Sequence, residues 1–167
     1  RPDILKLIQI YYLKNIENKR FPLGDRQANR YKSHNETIAR ILHYEVLPII
    51  EHITGEKLRP TYTYMSFYLK DTELPAHTDR QDCEFSVSLV VDKPEGASWP
   101  IYIHKEKQPV KYKGRYSFTP KTEDCYSVDC DSGGLMLFMG TDHIHFREKL
   151  EADYYNVMLL HYRKRED

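Results

Sequence analysis

"CEFSVSLVVD", residues 83–92, is the segment that decides the fold, because its side chains alternate between two faces. One face carries Phe85, Val87, Leu89 and Val91, and the other carries Ser86, Ser88 and Val90. A period of two residues is typical of a β-strand that buries one face. The region around this segment is therefore expected to form a sheet.

Five further segments after Pro60 share this character, being short, rich in β-branched and aromatic residues, and separated by Pro, Gly and Asp. They are "TYTYMSFYLK" (61–70), "WPIYIH" (99–104), "GGLMLFMG" (133–140), "DHIHFRE" (142–148) and "YYNVMLLHYR" (154–163). No helical pattern lies between them. Many short strands without crossover helices predict an antiparallel sandwich or barrel such as a jelly roll.

The front of the chain has a helical period instead. Apolar residues recur at spacings of three and four within residues 3–16, which predicts an amphipathic helix. Ser33 and Glu36 have the spacing of a capping box, and an apolar stripe then continues as far as Gly55. Pro48 is expected to kink or break this second helix. The predicted fold class is mainly β with N-terminal helices.

Composition limits the domain organisation and the classes of partner. With 167 residues and 40% hydrophobic content, the chain can bury one core. We expect a single domain, 1–167, with a helical support region at 1–58 and the β core at 60–163. The 25 Lys and Arg balance the 25 Asp and Glu, and no basic block interleaves with aromatics, so a nucleic-acid partner is not expected.

Hydropathy and cysteine content predict the cellular location. No apolar run reaches the roughly 20 residues that span a bilayer, and the start lacks a signal-peptide pattern. Three cysteines, an odd number, favour reduced thiols and a cytoplasmic location. Cys125 and Cys130 lack the second ligand pair that a zinc site would need, so they are interpreted as ordinary thiols. The chain begins with Arg1 and is compatible with being part of a longer polypeptide.

The turn ahead of the first quoted strand holds His77 and Asp79, two residues apart. In an extended segment both side chains point to the same side and can reach one ion. A 2-His-1-carboxylate facial triad needs one more histidine from elsewhere and leaves positions open on Fe(II). His143, His145 and His161, in the last two predicted strands, are the available candidates.

The ordered set of segments from about residue 60 to 163 resembles the iron(II)- and 2-oxoglutarate-dependent dioxygenases, especially small members related to prolyl 4-hydroxylases. The resemblance rests on "LPAHTDRQDCEFSVSLVVD", "WPIYI", "HIHFRE" and "VMLLHYR". It implies a double-stranded β-helix (jelly roll, cupin-like). It also implies that His77, Asp79 and His145 are the catalytic iron ligands, with His145 in the triplet His145-Phe146-Arg147. The implied cofactors are Fe(II), 2-oxoglutarate and dioxygen, with ascorbate as a reductant.

The residues that would bind 2-oxoglutarate depart from the family pattern. The resemblance places the usual basic residue on Tyr154 or Tyr155, and neither carries a positive charge. Arg147 is therefore the predicted anchor of the far carboxylate, with Lys149 and Arg163 as rivals.

Tyr68 matches a tyrosine that donates a hydrogen bond to the cosubstrate in the family, although a core role is an equal alternative. Similarly, Ser86 and Ser88 either belong to an ordinary strand or leave space for the cosubstrate.

The function expected from the resemblance is hydroxylation of an amino-acid, peptidyl or small-molecule substrate, with release of succinate and carbon dioxide. Two alternatives stay open at this point. A cupin-like isomerase or a non-catalytic metal- or ligand-binding module could use the same barrel, because fold does not fix function. A scaffold that has lost activity is the third reading, and the intact His77-x-Asp79 pair argues against it.

Overall fold

The computed structural model describes residues 1–25, 27–108 and 114–166. Within these ranges the helices are α1 (Pro2–Glu17), α2 (Thr37–Glu45) and α3 (Leu47–Thr54). The strands are β1 (Arg30–His34), β2 (Leu58–Leu69), β3 (Leu74–Thr78), β4 (Phe85–Asp92), β5 (Ile101–His104), β6 (Gly114–Arg115), β7 (Cys125–Val128), β8 (Leu135–Phe138), β9 (His145–Arg147) and β10 (Tyr154–Lys164). None of the helices in these ranges is long and apolar enough to cross a membrane.

The ten strands form two five-stranded sheets in which all pairs are antiparallel. The first sheet has the order β1-β2-β10-β4-β8, and the second has the order β6-β3-β9-β5-β7. From β2 to β5, and again from β7 to β10, successive strands alternate between the two sheets, as in a jelly roll. The predicted fold class, a double-stranded β-helix with N-terminal helices, is confirmed.

The helices pack on the outer face of the first sheet. Their apolar sides meet the alternating apolar residues of the sheet, including Val87 and Val91 of β4. The buried side chains of this core are Ile8, Tyr12, Phe21, Ala39, Ile50, Leu58, Met65, Phe85, Val87, Val91, Met158, Leu160 and Tyr162. Ser86 and Ser88 lie on the opposite face of β4, towards the second sheet, so the helical layer supports the sheet from behind and leaves its inner face for a site.

The predicted capping box of the second helix is wrong. Ser33 lies in β1, and Glu36 is itself the N-cap of α2, where its carboxylate accepts from the N–H groups of Ile38 and Ala39. The same carboxylate accepts hydrogen bonds from the hydroxyls of Tyr11 and Tyr12, at 2.6 and 2.7 Å. Glu36 therefore ties α1 to α2 while it caps α2.

The expected interruption at Pro48 is present as a break into two helices, α2 and α3. Pro48 lies in the first turn of α3, where its missing N–H costs no hydrogen bond. Gly55 ends α3 with a φ of 71°, as the sequence predicts. The support region is not purely helical, however, because β1 forms the edge of the first sheet.

Candidate metal centre

Three of the predicted site residues converge between the two sheets. His77 in β3 pairs with His145 in β9, so the two side chains project to the same face of the second sheet. Asp79 follows the end of β3, and its backbone N–H donates to the carbonyl of Gly140 at 2.8 Å. Oδ1 of Asp79 lies 3.7 Å from Nε2 of His77 and 3.5 Å from Nε2 of His145. All three ligand atoms lie within 4.8 Å of one another, a spacing at which they could hold one ion.

Both imidazoles are held in the tautomer that a metal requires. Nδ1 of His77 donates to the carbonyl of Pro75 at 2.8 Å, and Nδ1 of His145 donates to the carbonyl of His143 at 3.0 Å. Since each Nδ1 carries a hydrogen, Nε2 of each ring is the nitrogen that faces Asp79 and that can bind a metal when it is unprotonated. Ligating histidines in proteins are usually oriented by such a hydrogen bond from the other ring nitrogen.

The protonation states also fit a cation. Burial, and then the neighbouring His145, lower the pKa of His77 to about 4, so its ring is neutral at neutral pH. Burial raises the pKa of Asp79, but the nearby histidines lower it by a larger amount. The net pKa of Asp79 is therefore well below its usual range. Burial lowers the pKa of His145, and Asp79 raises it by more. The site thus offers an ionised carboxylate that attracts positive charge to the space between the ligands.

The second oxygen of Asp79 is fixed by a chain of hydrogen bonds. Ser86 donates to Oδ2 of Asp79 at 2.9 Å and lies 2.9 Å from Nδ1 of His161. A hydroxyl has one hydrogen, so His161 must donate to Ser86. Burial lowers the pKa of His161 to about 4, which keeps this ring neutral. The chain orients the carboxylate and leaves Oδ1 for a metal.

Asp79, Cys83 and His161 form a second group with ligand atoms within 4.8 Å, but it is a poorer metal site. Burial raises the pKa of the Cys83 thiol to about 12, so the thiolate that binds metals is disfavoured. Oδ2 of Asp79 and Nδ1 of His161 are already engaged with Ser86. The donor set of two imidazoles and one carboxylate, by contrast, is the one that iron(II) takes in facial triads.

His143, the rival distal ligand, lies outside the converging group. Its Nδ1 donates to the carbonyl of His104 at 2.8 Å, and its own carbonyl accepts from His145. His143 thus orients the His145 ring through its backbone carbonyl. The sequence alone leaves open which of these two histidines is the distal ligand.

The candidate metal centre opens into a cavity of about 490 Å³ between the sheets. Residues of both sheets and of the segment before β1 line this cavity, and the three candidate ligands are among them. Gln27, in that segment, lies 3.4 Å from Nε2 of His77 and so joins the β1 edge to β3. Ser88 also lines the cavity, and its buried Oγ has no hydrogen-bond partner within the described residues. An unsatisfied buried hydroxyl is costly, which fits a space that a polar ligand fills.

Arg147, the predicted anchor, lines the same cavity and is 4% exposed. Its guanidinium lies 4.7 Å from the centre of the Trp99 ring and 5.3 Å from that of Tyr155, and it donates to the carbonyl of Trp99. Burial lowers its pKa from the ordinary value. No carboxylate forms an ion pair with Arg147 among residues 1–25, 27–108 and 114–166. A buried cation of this kind is suited to an anionic ligand.

The two rival anchors lie elsewhere. Lys149 is largely exposed and pairs with Asp71 at 2.8 Å. Arg163 pairs with Glu166 at 2.6 Å, and neither cation lines the cavity.

Tyr68 lines the cavity and is 2% exposed, but a second arginine, which the sequence analysis missed, accompanies it. Nη1 of Arg30 donates to the hydroxyl of Tyr68 at 2.6 Å. The charge of Arg30 is matched by Asp25, whose carboxylate lies 2.8 Å away. Burial raises the pKa of Asp25, but hydrogen bonds from backbone N–H groups and the charge of Arg30 lower it by more, to about 2. Tyr68 accepts from Arg30 and keeps its own O–H hydrogen for a ligand.

The similarity of this chain to known proteins lies in its structure. No protein-family model matches the sequence, and no curated protein is similar to it. A prolyl-4-hydroxylase from Pseudomonas putida superposes with a TM-score of 0.70 at 10% identity, over 99% of this chain and 89% of that one. The chain has the fold of the iron(II)- and 2-oxoglutarate-dependent oxygenases.

Two other structures show the range of this fold. The α-ketoglutarate-dependent epimerase SnoN from nogalamycin biosynthesis has a TM-score of 0.70 at 10% identity, over 96% of this chain and 73% of that one. HygX from Streptomyces hygroscopicus, solved with nickel, 2-oxoglutarate and hygromycin B, has a TM-score of 0.59 at 13% identity, over 92% and 77%. At these identities the likeness concerns the fold, and the chemistry of this chain has to come from its own site residues.

Proposed function

We propose that this protein is an iron(II)- and 2-oxoglutarate-dependent oxygenase that hydroxylates an unactivated C–H bond of an amino-acid, peptidyl or small-molecule substrate, with release of succinate and carbon dioxide. One observation carries the proposal. The same cavity holds a 2-His-1-carboxylate set and, in Arg147, a buried cation that forms no ion pair with a carboxylate among the described residues. Asp129 acts on Arg147 at longer range and accepts a hydrogen bond from Tyr155 instead. A metal-binding module alone needs the first feature and has no use for the second.

His77, Asp79 and His145 would hold the iron. The Nδ1–H groups of the two histidines donate to backbone carbonyls, and Asp79 accepts from the Ser86 hydroxyl, so the three ligand atoms keep their positions. Three protein ligands leave open positions for a cosubstrate and dioxygen. Iron(II) bound here would couple the oxidative decarboxylation of 2-oxoglutarate to oxidation of the substrate.

Arg147 would orient 2-oxoglutarate. It lies two residues beyond His145 in β9, about 6.6 Å further along the strand, and both side chains line the cavity. A dicarboxylate that reaches the metal with one end would meet the guanidinium with the other. The planar fork donates two charge-assisted hydrogen bonds to a carboxylate, which fixes both position and orientation. The rings of Trp99 and Tyr155 keep the guanidinium in place and exclude water from the ion pair.

Tyr68 and Ser88 would complete the cosubstrate site. The Tyr68 hydroxyl has a hydrogen left to donate, and the Ser88 hydroxyl is without a partner in the part of the chain that the structure describes. Both line the cavity. Small serines on the inner face of β4 also leave the volume in which the cosubstrate and a C–H bond can lie side by side.

Release of succinate tests the proposal. Purified protein with Fe(II), ascorbate and labelled 2-oxoglutarate should form succinate slowly, even without a substrate, and amino acids, peptides and small metabolites can then be screened for stimulation. Asp79→Ala is the matched control and should form none. Absence of succinate from wild-type protein that binds iron would contradict the proposal, and an epimerised product from a stimulating substrate would replace hydroxylation as the outcome.

A further inference from the structure

The segment before β1 holds Gln27 in a fixed position at the edge of the metal centre. The carboxylate of Asp25 accepts the backbone N–H groups of Gln27 and Ala28, each at 2.8 Å. It also accepts from Nε of Arg30 at 2.9 Å and from the hydroxyl of Tyr64 at 3.0 Å. Gln27 is half-buried and lines the cavity. Its backbone is therefore tied to both β1 and β2.

The side-chain amide of Gln27 is oriented by Arg30. Nη2 of Arg30 lies 3.2 Å from the amide oxygen, Oε1. A guanidinium can only donate, so the amide atom that faces Arg30 has to be the oxygen. The amide nitrogen then lies 3.4 Å from Nε2 of His77 and donates to it, since Nδ1 of His77 carries the hydrogen that bonds the carbonyl of Pro75. Gln27 thus aims an N–H at the ring nitrogen that faces Asp79.

This hydrogen bond and a metal bond compete for the same lone pair. Nε2 of His77 has one lone pair, so it cannot accept from Gln27 and bind a metal at the same time. Metal binding by His77 therefore releases an amide N–H of Gln27. The amide oxygen keeps its bond to Arg30, which is itself paired with Asp25 at 2.8 Å, so the released donor stays beside the metal centre.

Gln27 begins a row of side chains that runs from the metal centre to Arg147. Next in the row is Arg30, whose Nη1 donates to the Tyr68 hydroxyl at 2.6 Å. The Tyr68 ring lies 4.9 Å from that of Trp99, and the Arg147 guanidinium lies 4.7 Å from the same Trp99 ring. The four polar residues of this row line the cavity. A dicarboxylate that reaches from the metal centre to Arg147 would therefore lie along the row, with its near end at Gln27.

We propose that Gln27 binds the cosubstrate: when His77 holds the metal, the amide N–H of Gln27 donates to the near carboxylate of 2-oxoglutarate. This inference rests on the proposed function, which supplies the metal and the cosubstrate. A carboxylate beside the metal has its charge balanced there, so it needs from the cavity wall a neutral donor and not another cation. Gln27 is such a donor, because Asp25 already neutralises Arg30.

Two dissociation constants of the variant Gln27→Leu test this inference. Competition with a chelator gives the constant for zinc. Equilibrium dialysis of labelled 2-oxoglutarate against zinc-loaded protein gives the constant for the cosubstrate without turnover. Affinity for 2-oxoglutarate should fall about tenfold or more, as expected for a lost hydrogen bond to a charged group. Affinity for zinc should not fall, because the competing hydrogen bond to His77 is lost as well.

Gln27→Glu is the second variant, since it keeps the shape of the side chain and replaces the amide donor with a carboxylate that only accepts. It should bind zinc at least as tightly as the wild type. It should bind 2-oxoglutarate at least as weakly as Gln27→Leu does, because the two carboxylates repel each other.

Gln9→Leu is the matched control. Gln9 in α1 also joins distant segments, since its amide donates to the carbonyl of Val91 at 2.9 Å, but it lies outside the described lining of the cavity. Both dissociation constants of this variant should equal those of the wild type.

An unchanged constant for 2-oxoglutarate in Gln27→Leu would overturn the inference and leave the proposed function standing. A parallel loss of zinc affinity, or an equal loss in Gln9→Leu, would also overturn it, because the effect would then be on the fold and not on the cosubstrate site. Failure of wild-type zinc-loaded protein to bind 2-oxoglutarate would overturn the proposed function, and the inference with it.

Discussion

Gly140 lies so close to Asp79 that a β-carbon at position 140 would collide with Oδ2 of Asp79 and come within 2.9 Å of its Cγ. The carbonyl of Gly140 also accepts the backbone N–H of Asp79 at 2.8 Å. The missing side chain thus provides the space in which the carboxylate sits, and the backbone of the same residue fixes the chain beneath it. Ser86 holds Oδ2 from the other side.

Gly140→Ala should therefore weaken metal binding while the protein still folds. The added methyl group meets the carboxylate of Asp79 and the hydroxyl of Ser86, which are side-chain ends and not backbone. The damage is therefore confined to the carboxylate and the hydrogen bond that holds it. Changes around ligands of this kind cost about 10- to 100-fold in metal affinity. Competition with a metal chelator gives the affinity, and thermal unfolding of the metal-free protein gives the control. Unchanged metal affinity would mean that the position of Oδ2 does not affect metal binding.

The three candidate ligands should be equally necessary. His77→Ala, Asp79→Ala and His145→Ala each leave an incomplete facial set, and each should abolish turnover and weaken Fe(II) binding. His143→Ala should be milder, because the carbonyl that orients His145 is retained. Metal content after dialysis checks this. Loss of metal in the His143 variant, with metal kept in the His145 variant, would mean that the distal ligand is assigned to the wrong histidine.

His43 should make the metal-free protein sensitive to acid. Its Nε2 donates to the carbonyl of His161 at 2.7 Å, and burial lowers its pKa to about 4. The unfolded chain, with a histidine pKa of about 6.5, takes up the proton first as the pH falls. The stabilisation is therefore complete above about pH 6.5 and is lost progressively towards pH 4, at up to about 1.4 kcal/mol per pH unit.

His43→Gln keeps a donor for the same carbonyl and has no titratable group. Urea unfolding at several pH values should show a shallower loss of free energy of unfolding for this variant than for the wild type between pH 6.5 and 4. The pKa values of His77 and His161 are lowered in the same direction, so some dependence should remain in both. Identical slopes would mean that His43 is not held neutral by the fold.

Trp99 should report the cosubstrate without any turnover. It is the single tryptophan of the chain, and its ring lies 4.7 Å from the Arg147 guanidinium. Addition of 2-oxoglutarate to zinc-loaded protein should change its fluorescence in a saturable way, because a carboxylate would then arrive beside the indole. Glutaramide, which has the same five-carbon length and no charge, is the control ligand and should have no effect. An equal response to both ligands would mean that the fluorescence change does not report an ion pair with Arg147.

The strands and two of the candidate ligands, His77 and Asp79, could be predicted because their signals are local. Each predicted β segment after Pro60 overlaps an observed strand, and β4 keeps the alternation that the sequence shows. His77 and Asp79 are close in sequence, so their common direction follows from strand geometry. His145 needed the resemblance, because only the pairing of β3 with β9 brings it to His77.

The missed features depend on contacts between distant segments. β1 has the sequence RYKSH, which has no apolar alternation, and it forms because the β2 edge supplies its hydrogen bonds. β3, β6 and β7 were not predicted either, since they are short and partly polar. Arg30 had no signal in the sequence, since its role depends on its contacts with Asp25 and Tyr68. Gly140 was unremarkable in sequence, since its role arises where it meets Asp79 from another part of the chain.

The most direct measurement is the dependence of succinate release on 2-oxoglutarate in Arg147→Met, Arg147→Lys and Arg163→Met. Loss of the guanidinium pair should cost about 1.5 to 3 kcal/mol, so the apparent KM for 2-oxoglutarate should rise roughly 10- to 150-fold in Arg147→Met. Arg147→Lys should be intermediate, Fe(II) binding should be nearly unchanged, and Arg163→Met should behave as wild type. An unchanged KM in Arg147→Met, together with a large rise in Arg163→Met, would contradict the account and move the anchor to β10.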